Sequence, residues 1–406
     1  MSTPDTSVAT RALRKLNPMQ QMQTLRKPMW RRLAAFGVSA FVATSVAAIG
    51  ASGAGAASGG PSVTLSAAGS TFDQPFFTLA FYNYHKQNPS VTVNYASIGS
   101  GGGQQQFESN IVNFGASDVP MFATEIAKAT GGTVLQLPID MGGEAVSYNL
   151  YGVHGGLHMT GPVLAKIYLG QITKWNDPTL TRLNPGVALP TEPITVVHRS
   201  DGSGTTYAFT TYLSKVSPAW KSKVGATKSV AWPVGVGGQG NEGVAGVIAD
   251  TPGSIGYVEL DYALVNHFTY CKMLNPEGRW VLPTLKTSAD EAALHPNVSA
   301  TAFSITDLKP PHTEAGKTLG KTAYPISTYS WVLVYKHQKT AKTALAMLKL
   351  LDWATHAGQK YAKKLDYVPL PPAVQATAQS VLEQVEGPTG KPLLSPSLAA
   401  KYAKTA

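Results

Sequence analysis

Arg199-Ser200-Asp201-Gly202-Ser203-Gly204-Thr205 follows the apolar run Ile194–His198 and leads into Thr205–Leu213, whose apolar spacing is helical. The pattern predicts a strand that ends in a glycine- and hydroxyl-rich loop and opens a helix. Ala68-Gly69-Ser70-Thr71-Phe72 and Gly99-Ser100-Gly101-Gly102-Gly103 repeat this design. The N–H groups at a helix N-terminus carry partial positive charge, and glycine lets a ligand approach the backbone closely. Three such loops predict helix N-termini that converge on an oxyanion.

The segments between these loops predict an α/β fold. Five alternate as strand, helix, strand, helix, strand: Ser62–Ala67, Phe72–Lys86, Val91–Ile98, Gln104–Asn110 and Asn113–Ala116. This order is typical of a parallel sheet with helical crossovers. Two further strands, Leu135–Ile139 and Gly142–Asn149, are expected next, and the second of them should leave the first lobe.

A second lobe is expected to follow, because 406 residues exceed what one hydrophobic core usually organises. Its predicted elements are helix Gly161–Leu169, strand Ile194–His198, helix Thr205–Leu213, helix Asn241–Ala249 and strand Gly256–Glu259. The apolar strand Tyr324–Tyr335 then returns the chain to the first lobe, and helices close it. The content of proline, glycine and serine from Glu386 to Ala406 predicts a loosely held tail.

Charge and composition favour an ordinary globular protein. Hydrophobic residues make up 43% of the chain and charged residues 14%, which excludes extensive disorder. The net charge is +10, but residues 1–57 carry seven basic residues and one acidic residue, and the remainder has a net charge of +4. That mild excess, without a basic stripe interleaved with aromatic residues, gives no reason to expect nucleic acid as a partner.

Residues 1–57 have the parts of a basic leader and a signal peptide. Arg31-Arg32 precede the apolar run Leu33–Gly50, and the small residues Ala54-Gly55-Ala56-Ala57 offer a cleavage site. The alternative is an uncleaved membrane anchor, for which the run is marginal. Cys271 is the one cysteine of the chain, so no intrachain disulfide and no lipid-accepting cysteine after the signal are available. We therefore expect an exported protein, periplasmic or associated with the cell envelope, that is not a lipoprotein.

Several side chains in and near the loops suit a tetrahedral oxyanion. Hydroxyl donors are provided by Thr71, Ser100, Ser203 and Thr205, although each of these residues could instead be a helix N-cap. Arg199 offers a bidentate charged donor that Asp201 could orient; an exposed ion pair is the alternative. An ionised Asp118 only accepts hydrogen bonds and so favours an anion that carries a proton, unless it merely caps the turn before Pro120.

Five separated motifs, in order, resemble those of the phosphate-binding protein of the bacterial high-affinity ABC phosphate importer. The motifs are Gly69-Ser70-Thr71-Phe72, Ile98-Gly99-Ser100-Gly101-Gly102, Phe114-Gly115-Ala116-Ser117-Asp118, Arg199–Thr205 and Pro252-Gly253-Ser254-Ile255-Gly256-Tyr257-Val258-Glu259. The resemblance covers about residues 62–390. It implies a two-lobed periplasmic-binding-protein fold of type II in which the chain crosses between the lobes twice. Lobe 1 would comprise residues 62–140 and 323–390, lobe 2 residues 141–322, and the C-terminal tail residues 391–406.

The resemblance also implies a ligand and its binding residues. The phosphate ligands would be Thr71, Phe72 through its backbone N–H, Ser100, Asp118, Arg199, Ser203, Gly204 and Thr205, with Ser70 and Asp201 in support. The implied partners are inorganic phosphate and a membrane permease with its ATPase, and the protein would act as a monomer without a cofactor.

Competing functions have weaker support. Gly235-Val236-Gly237-Gly238-Gln239-Gly240 fits a dinucleotide-binding motif after the strand-like Ser229–Val234, but Pro233 interrupts that strand and an exported protein has little access to nicotinamide cofactors. The chain has no G-x-S-x-G or H-E-x-x-H motif and no histidines at metal-ligand spacing, which disfavours an exported phosphatase. Binding of sulfate, arsenate or molybdate instead of phosphate remains open.

Overall fold

The structure is a computed structural model that describes residues 62–295, 297–300 and 314–394. The predicted leader and signal peptide, and residues 395–406 of the predicted tail, lie outside these ranges. No helix within the described residues is long and apolar enough to cross a membrane.

The first part of the described chain alternates strands and helices as predicted. Its elements are β1 (Val63–Gly69), α1 (Gln74–Gln87), β2 (Val91–Ser97), α2 (Gly99–Glu108), β3 (Phe114–Ser117), α3 (Ala123–Ile126) and β4 (Val134–Asn149). Helix α1 forms because Pro75 fits its first turn and because its apolar residues share one buried face, which includes Phe76, Phe77 and Phe81. Helix α2 begins at Gly99, earlier than predicted, so the glycine loop is itself the first turn of the helix.

The middle of the chain forms smaller elements around a second core. They are β5 (His158–Met159), α4 (Gly161–Tyr168), α5 (Pro178–Leu183), β6 (Thr195–Arg199), α6 (Gly204–Val216), α7 (Pro218–Lys223), β7 (Val236–Gly238), α8 (Gly240–Asp250), β8 (Ser254–Glu259), α9 (Leu260–Val265), β9 (Thr269–Tyr270), β10 (Lys272–Leu274), β11 (Trp280–Val281), α10 (Leu285–Leu294) and α11 (Glu314–Gly320). The chain then returns through β12 (Ser327–Tyr335) and ends in α12 (Ala341–Thr355), α13 (Gln359–Ala362), a 3-10 turn (Lys363–Leu365) and α14 (Pro372–Leu382).

A mixed sheet runs through the molecule in the order β2-β1-β3-β12-β4-β8-β6-β7, with β9 also on β4. Strand β1 pairs in parallel with β2 and β3, which confirms the predicted parallel arrangement. Strand β12 is antiparallel to both β3 and β4, so the returning segment is inserted between strands that are close in sequence. The strands and flanking helices confirm the expected α/β fold class.

Strand β4 is a single element of 16 residues where the sequence predicted two strands. Its first part pairs with β12, and from Glu144 to Asn149 it pairs with β8. The pairing with β12 shifts register near Pro138, where Trp331 pairs with Pro138 and Ser330 pairs with Asp140. Proline lacks an N–H donor, and a bulge accommodates it without ending the strand.

The two largest hydrophobic cores draw on different parts of the chain. One lies between β1 and helices α1 and α12 and includes Leu65, Phe76 and Leu348. The other is rich in aromatic residues and includes Trp175 and Phe209. Each core joins strands of the sheet to helices that pack against them.

The segment from Glu386 is packed more closely than its composition suggests. The Glu386 N–H donates to the Lys336 carbonyl at 2.7 Å, and Leu394 is 2% exposed within the first core. The prediction of a loosely held tail is therefore wrong as far as Leu394, because β-bridge hydrogen bonds and one apolar anchor hold the segment.

Candidate functional site

The three loops meet at Asp118, which follows β3 and is 2% exposed. One of its carboxylate oxygens accepts a hydrogen bond from Thr205 Oγ1 at 3.1 Å, and the other accepts one from the Ser70 hydroxyl. Ser330 Oγ lies 3.4 Å from the latter oxygen. These partners are distant in sequence. The Asp118 side chain therefore does more than cap the turn before Pro120, which was the alternative interpretation.

Ser100 links two of the loops through its hydroxyl oxygen. Ser100 Oγ accepts the backbone N–H of Asp118 at 3.2 Å and that of Gly204 at 3.1 Å. The approach of the backbones is close, because a Cβ atom at Gly204 would lie 2.4 Å from Asp118 Cβ. The Gly101 N–H also donates to the Gly202 carbonyl at 2.8 Å. Glycine is thus required where the first turns of α2 and α6 face each other.

Arg199 is the buried cation of the site and is 3% exposed. Its Nε donates to Asp201 Oδ1 at 2.7 Å, a second bond joins Nη2 to Asp201 Oδ2, and Nη1 reaches Thr205 Oγ1 at 3.3 Å. Asp201 also accepts the Gly240 N–H at 3.0 Å. The alternative of an exposed surface ion pair is therefore wrong. The Asp201 carboxylate fixes the orientation of the Arg199 guanidinium, and a guanidinium held in this way suits a planar, bidentate contact with an oxyanion.

Burial and charge act in opposite directions on the acidic groups of the site. Burial raises the pKa of Asp118 above its ordinary value, although the Ser70 hydroxyl, the Arg199 charge and Thr205 favour its ionised form. Burial would also raise the pKa of Asp201, but the hydrogen bonds and charge of Arg199 prevail and hold that pKa below its usual range. The Asp201 carboxylate is thus paired with Arg199, whereas the Asp118 carboxyl group is hydrogen-bonded to residues of the glycine loops.

Thr71 and Phe72 follow β1 and join the site through backbone and hydroxyl groups. Thr71 Oγ1 accepts the backbone N–H of Asn241 at 3.1 Å and its side-chain Nδ2–H at 3.0 Å. The Thr71 carbonyl accepts the Tyr262 hydroxyl at 2.7 Å. The Phe72 N–H donates to Ser70 Oγ at 2.9 Å, which settles the local role of that hydroxyl: it accepts from Phe72 and donates to Asp118.

Of the four hydroxyl residues, one is a helix cap. Ser203 Oγ accepts the Thr206 N–H at 3.0 Å and caps α6. The residues at the N-cap positions of α1 and α2 are Asp73 and Ile98, so Thr71 and Ser100 do not cap those helices. The capping alternative therefore applies to Ser203 and not to the other hydroxyl residues.

Asn241, predicted from the sequence only as the start of a helix, lies between Thr71 and β8. Its Oδ1 accepts the Glu259 N–H at 3.0 Å, while its Nδ2 contacts Thr71 and lies 3.5 Å from Thr205 Oγ1. The sequence signal that could have indicated Asn241 as a site residue is the glycine motif Gly235–Gly240, which immediately precedes it. Strand β7 (Val236–Gly238) lies inside that motif and Ser229–Val234 is not a strand, so the order of strand followed by glycine loop that a dinucleotide site needs is missing.

Other reactive groups have ordinary positions. Cys271 is fully buried, and burial raises the pKa of its thiol, which suits a packed side chain. Within the described ranges, no group of three or more His, Cys, Asp or Glu side chains is arranged to hold a metal ion.

Comparison with known proteins places this chain among solute-binding proteins. A family model described as a PBP superfamily domain matches residues 54–357. The chain is 43% identical over 312 residues to the phosphate-binding protein PstS of Xylella fastidiosa, covering 77% of this chain and 82% of that protein. It is 41% identical over 332 residues to PstS of Pasteurella multocida, covering 81% and 93%.

Solved structures share the fold at lower sequence identity. A human phosphate binding apolipoprotein matches with a TM-score of 0.63 at 18% identity, covering 81% of this chain and 99% of that chain. A putative phosphate ABC transporter substrate-binding protein from Clostridium perfringens matches with a TM-score of 0.53 at 17% identity, covering 76% and 100%. The sequence matches and the fold lead to one conclusion: this chain belongs to the PBP superfamily and, within it, to the PstS family of phosphate-binding proteins.

Proposed function

We propose that this chain binds inorganic phosphate between its two lobes and delivers it to an ABC transporter for import. The observation that carries the proposal is that a buried, oriented guanidinium, the first turns of α2 and α6 and the acceptor Asp118 all meet within hydrogen-bond reach. Cationic and N–H donors suit the oxygens of a tetrahedral anion. The names of the relatives, which are phosphate-binding proteins, support a binding role rather than catalysis.

Each site residue has a proposed role in holding the anion. Arg199 donates to two phosphate oxygens, and Asp201 keeps the Arg199 guanidinium in place. The N–H groups of Phe72 and Gly204 donate to Ser70 Oγ and Ser100 Oγ in this structure and would be shared with the anion. The Thr205 N–H and the hydroxyl groups of Thr71, Ser100, Ser203 and Thr205 complete the donor set. Ser70 holds the carboxylate of Asp118, which accepts a hydrogen bond from the P–OH group that phosphate carries at neutral pH.

Asp118 is the proposed selectivity element. Sulfate has no proton at neutral pH, and its oxygens would face an ionised carboxylate with no hydrogen bond between them. A closed site that requires a particular donor can discriminate by about 10⁴–10⁵-fold, which a small difference in size between tetrahedral anions cannot supply. The selectivity should therefore depend on the charge of this side chain.

Calorimetric titration of the wild type and Asp118→Asn with phosphate, sulfate, arsenate and molybdate tests the assignment. The wild type should bind phosphate and exclude sulfate, whereas the variant should admit sulfate and keep appreciable affinity for phosphate. Asp250→Asn, an exposed acid at the far end of α8, is the matched control and should behave as the wild type. A wild type that prefers another anion, or a variant that still excludes sulfate, would contradict the proposal.

Contacts outside the anion site support closure of residues 62–140 onto residues 141–322. The Lys228 ammonium contacts the Glu125 carboxylate and Gln104 Oε1, and the Phe122 and Tyr207 rings lie 5.8 Å apart. These side chains belong to opposite proposed lobes. A closed pair of lobes would present one combined surface to a permease and its ATPase, with the binding protein acting as a monomer.

We further propose that the protein is exported, with cleavage near Ala57, and that it acts in the periplasm or at the cell envelope without a lipid anchor. The basic flank, apolar run and small residues of positions 31–57 support this proposal. The mass and N-terminal sequence of protein taken from the source cell test it. A mature chain that retains Leu33–Gly50 would contradict it.

A further inference from the structure

Two aspartates next to the anion site are buried without a cation. Asp73 occupies the N-cap position of α1, where aspartate usually caps the helix, but its side chain makes no capping bond. Asp140, on β4, is likewise fully buried. Among the described residues, no N–H or O–H group is in hydrogen-bond geometry with any of the four carboxyl oxygens of this pair.

The two side chains are close to each other and to Asp118. The Asp73 and Asp140 carboxyl groups are within hydrogen-bond reach once one of them carries a proton. Ser330, the register partner of Asp140 on β12, approaches Asp73 and lies 3.4 Å from Asp118 Oδ1. Asp140, Asp73, Ser330 and Asp118 thus form a continuous polar path that ends at the proposed selectivity element.

The electrostatic setting favours the protonated form of this pair. Burial raises the pKa of Asp73 well above its ordinary range, and repulsion from Asp140 and Asp118 raises it further. Burial and the charge of Asp118 do the same to the pKa of Asp140. Asp118 is the member of the group that ionises first, because Ser70 and Arg199 favour its charged form.

The titratable groups that surround the pair come from several elements. Tyr95 of β2, Tyr367 near the C-terminus and Glu259 of β8 all interact electrostatically with Asp73 or Asp140. Tyrosine and glutamate carry no positive charge in any protonation state, so none of these three groups supplies a compensating charge. Burial also raises the pKa of each well above its ordinary range. Arg199 is committed to Asp201 and acts on Asp118.

We infer that Asp73 and Asp140 set the charge next to the phosphate site and make phosphate binding sensitive to the external pH. The inference rests on the proposed function. While both groups are protonated, Asp118 is the one negative charge of the pathway. As the pH rises, the pair loses a proton to the solvent, and the new negative charge repels the anion. By linkage, bound phosphate makes the pair harder to ionise.

The expected effect is large enough to measure. Two unit charges about 7–10 Å apart in a medium with an effective dielectric constant of about 20 repel each other enough to weaken binding about tenfold or more. Asparagine at both Asp73 and Asp140 keeps the shape and stays neutral at every pH, whereas a single substitution leaves one carboxyl that can still ionise. The double substitution should therefore remove this loss and leave the ionisation of phosphate itself unchanged.

The experiment measures the dissociation constant for inorganic phosphate by calorimetry from about pH 5 to about pH 10, because this range extends well above the ordinary pKa of aspartate. The proteins are the wild type, the double variants Asp73→Asn/Asp140→Asn and Asp73→Ser/Asp140→Asn, and the control Asp250→Asn. Wild type and control should lose affinity at alkaline pH about tenfold more than either pair variant. Two pair variants are used so that poor folding of one leaves the test intact.

The outcomes separate this inference from the proposed function. If the pair variants and the wild type bind phosphate with parallel pH profiles, the pair does not set the charge of the site and the inference is overturned. If the wild type binds no phosphate at any pH, the proposed function itself fails. Proton exchange on binding, obtained by repeating the titration in buffers of different ionisation enthalpy, should differ between the wild type and Asp73→Asn/Asp140→Asn, and equal exchange would also overturn the inference.

Discussion

Replacement of Gly204 by alanine should weaken phosphate binding without unfolding the protein. Gly204 is the first residue of α6, where alanine is well tolerated by the helix. The added methyl group would lie 2.4 Å from Asp118 Cβ and 2.8 Å from its Cα. Carbon atoms in contact prefer about 3.5 Å or more, so the two loops would have to separate by about 1 Å.

The magnitude follows from the hydrogen bonds that cross this contact. Separation weakens the bond from the Gly204 N–H to Ser100 Oγ and the bond from Thr205 Oγ1 to Asp118 Oδ2, each 3.1 Å long. A neutral hydrogen bond contributes about 0.5–1.5 kcal/mol and one to a charged group about 1.5–3 kcal/mol. The closed state should lose about 2 kcal/mol or more, which lowers the phosphate affinity by about 30-fold or more.

Isothermal titration with phosphate measures this loss, and thermal unfolding without phosphate checks that the fold is intact. The matched control is Gly246→Ala, also in a helix, where an added Cβ would have no heavy atom within 4 Å. The control should bind phosphate as the wild type does. If Gly204→Ala binds phosphate within about threefold of the wild type, a loss of less than about 1 kcal/mol, the close approach of the two loops is not part of the binding-competent state and the reasoning is refuted.

Three other perturbations test the electrostatics. Arg199→Ala should weaken phosphate binding by about 1.5–3 kcal/mol in calorimetry, with a smaller loss for Asp201→Ala; full affinity in the first variant would show that the guanidinium does not contact the ligand. In a double-mutant cycle on phosphate affinity, Lys228→Met and Glu125→Gln should couple by about 0.5–1 kcal/mol, and additive effects would show that their ion pair does not stabilise closure. Burial raises the pKa of Glu144 well above its ordinary value. Above about pH 4 the unfolded chain therefore loses a proton that the folded chain keeps, and the free energy of unfolding falls as the pH rises toward the pKa of the folded state. Glu144→Gln should therefore raise the melting temperature more at pH 8 than at pH 5, and an equal gain at both would contradict this sign.

The sequence alone was sufficient for the local features of this protein. The alternation of strands and helices is encoded in short apolar patterns, and the parallel pairing of β1 with β2 and β3 follows from the crossovers between them. Arg199 and Asp201 are two residues apart at a strand end, so their pairing needs little information beyond the sequence. The ordered motifs also identified the family, because several loops in the correct order constrain the fold far more than one glycine loop does.

The tertiary structure decided which distant groups meet and what the site electrostatics are. Asn241 contacts Thr71 across 170 positions in the sequence, and no local pattern encodes that distance. Asp73 has the sequence context of an ordinary helix cap, and only packing against β4 turns its side chain toward Asp140 in a buried environment. Local sequence fixes hydrogen bonds and periodicity over a few residues. Burial, and the pKa shifts that burial causes, depend on the whole chain around each group.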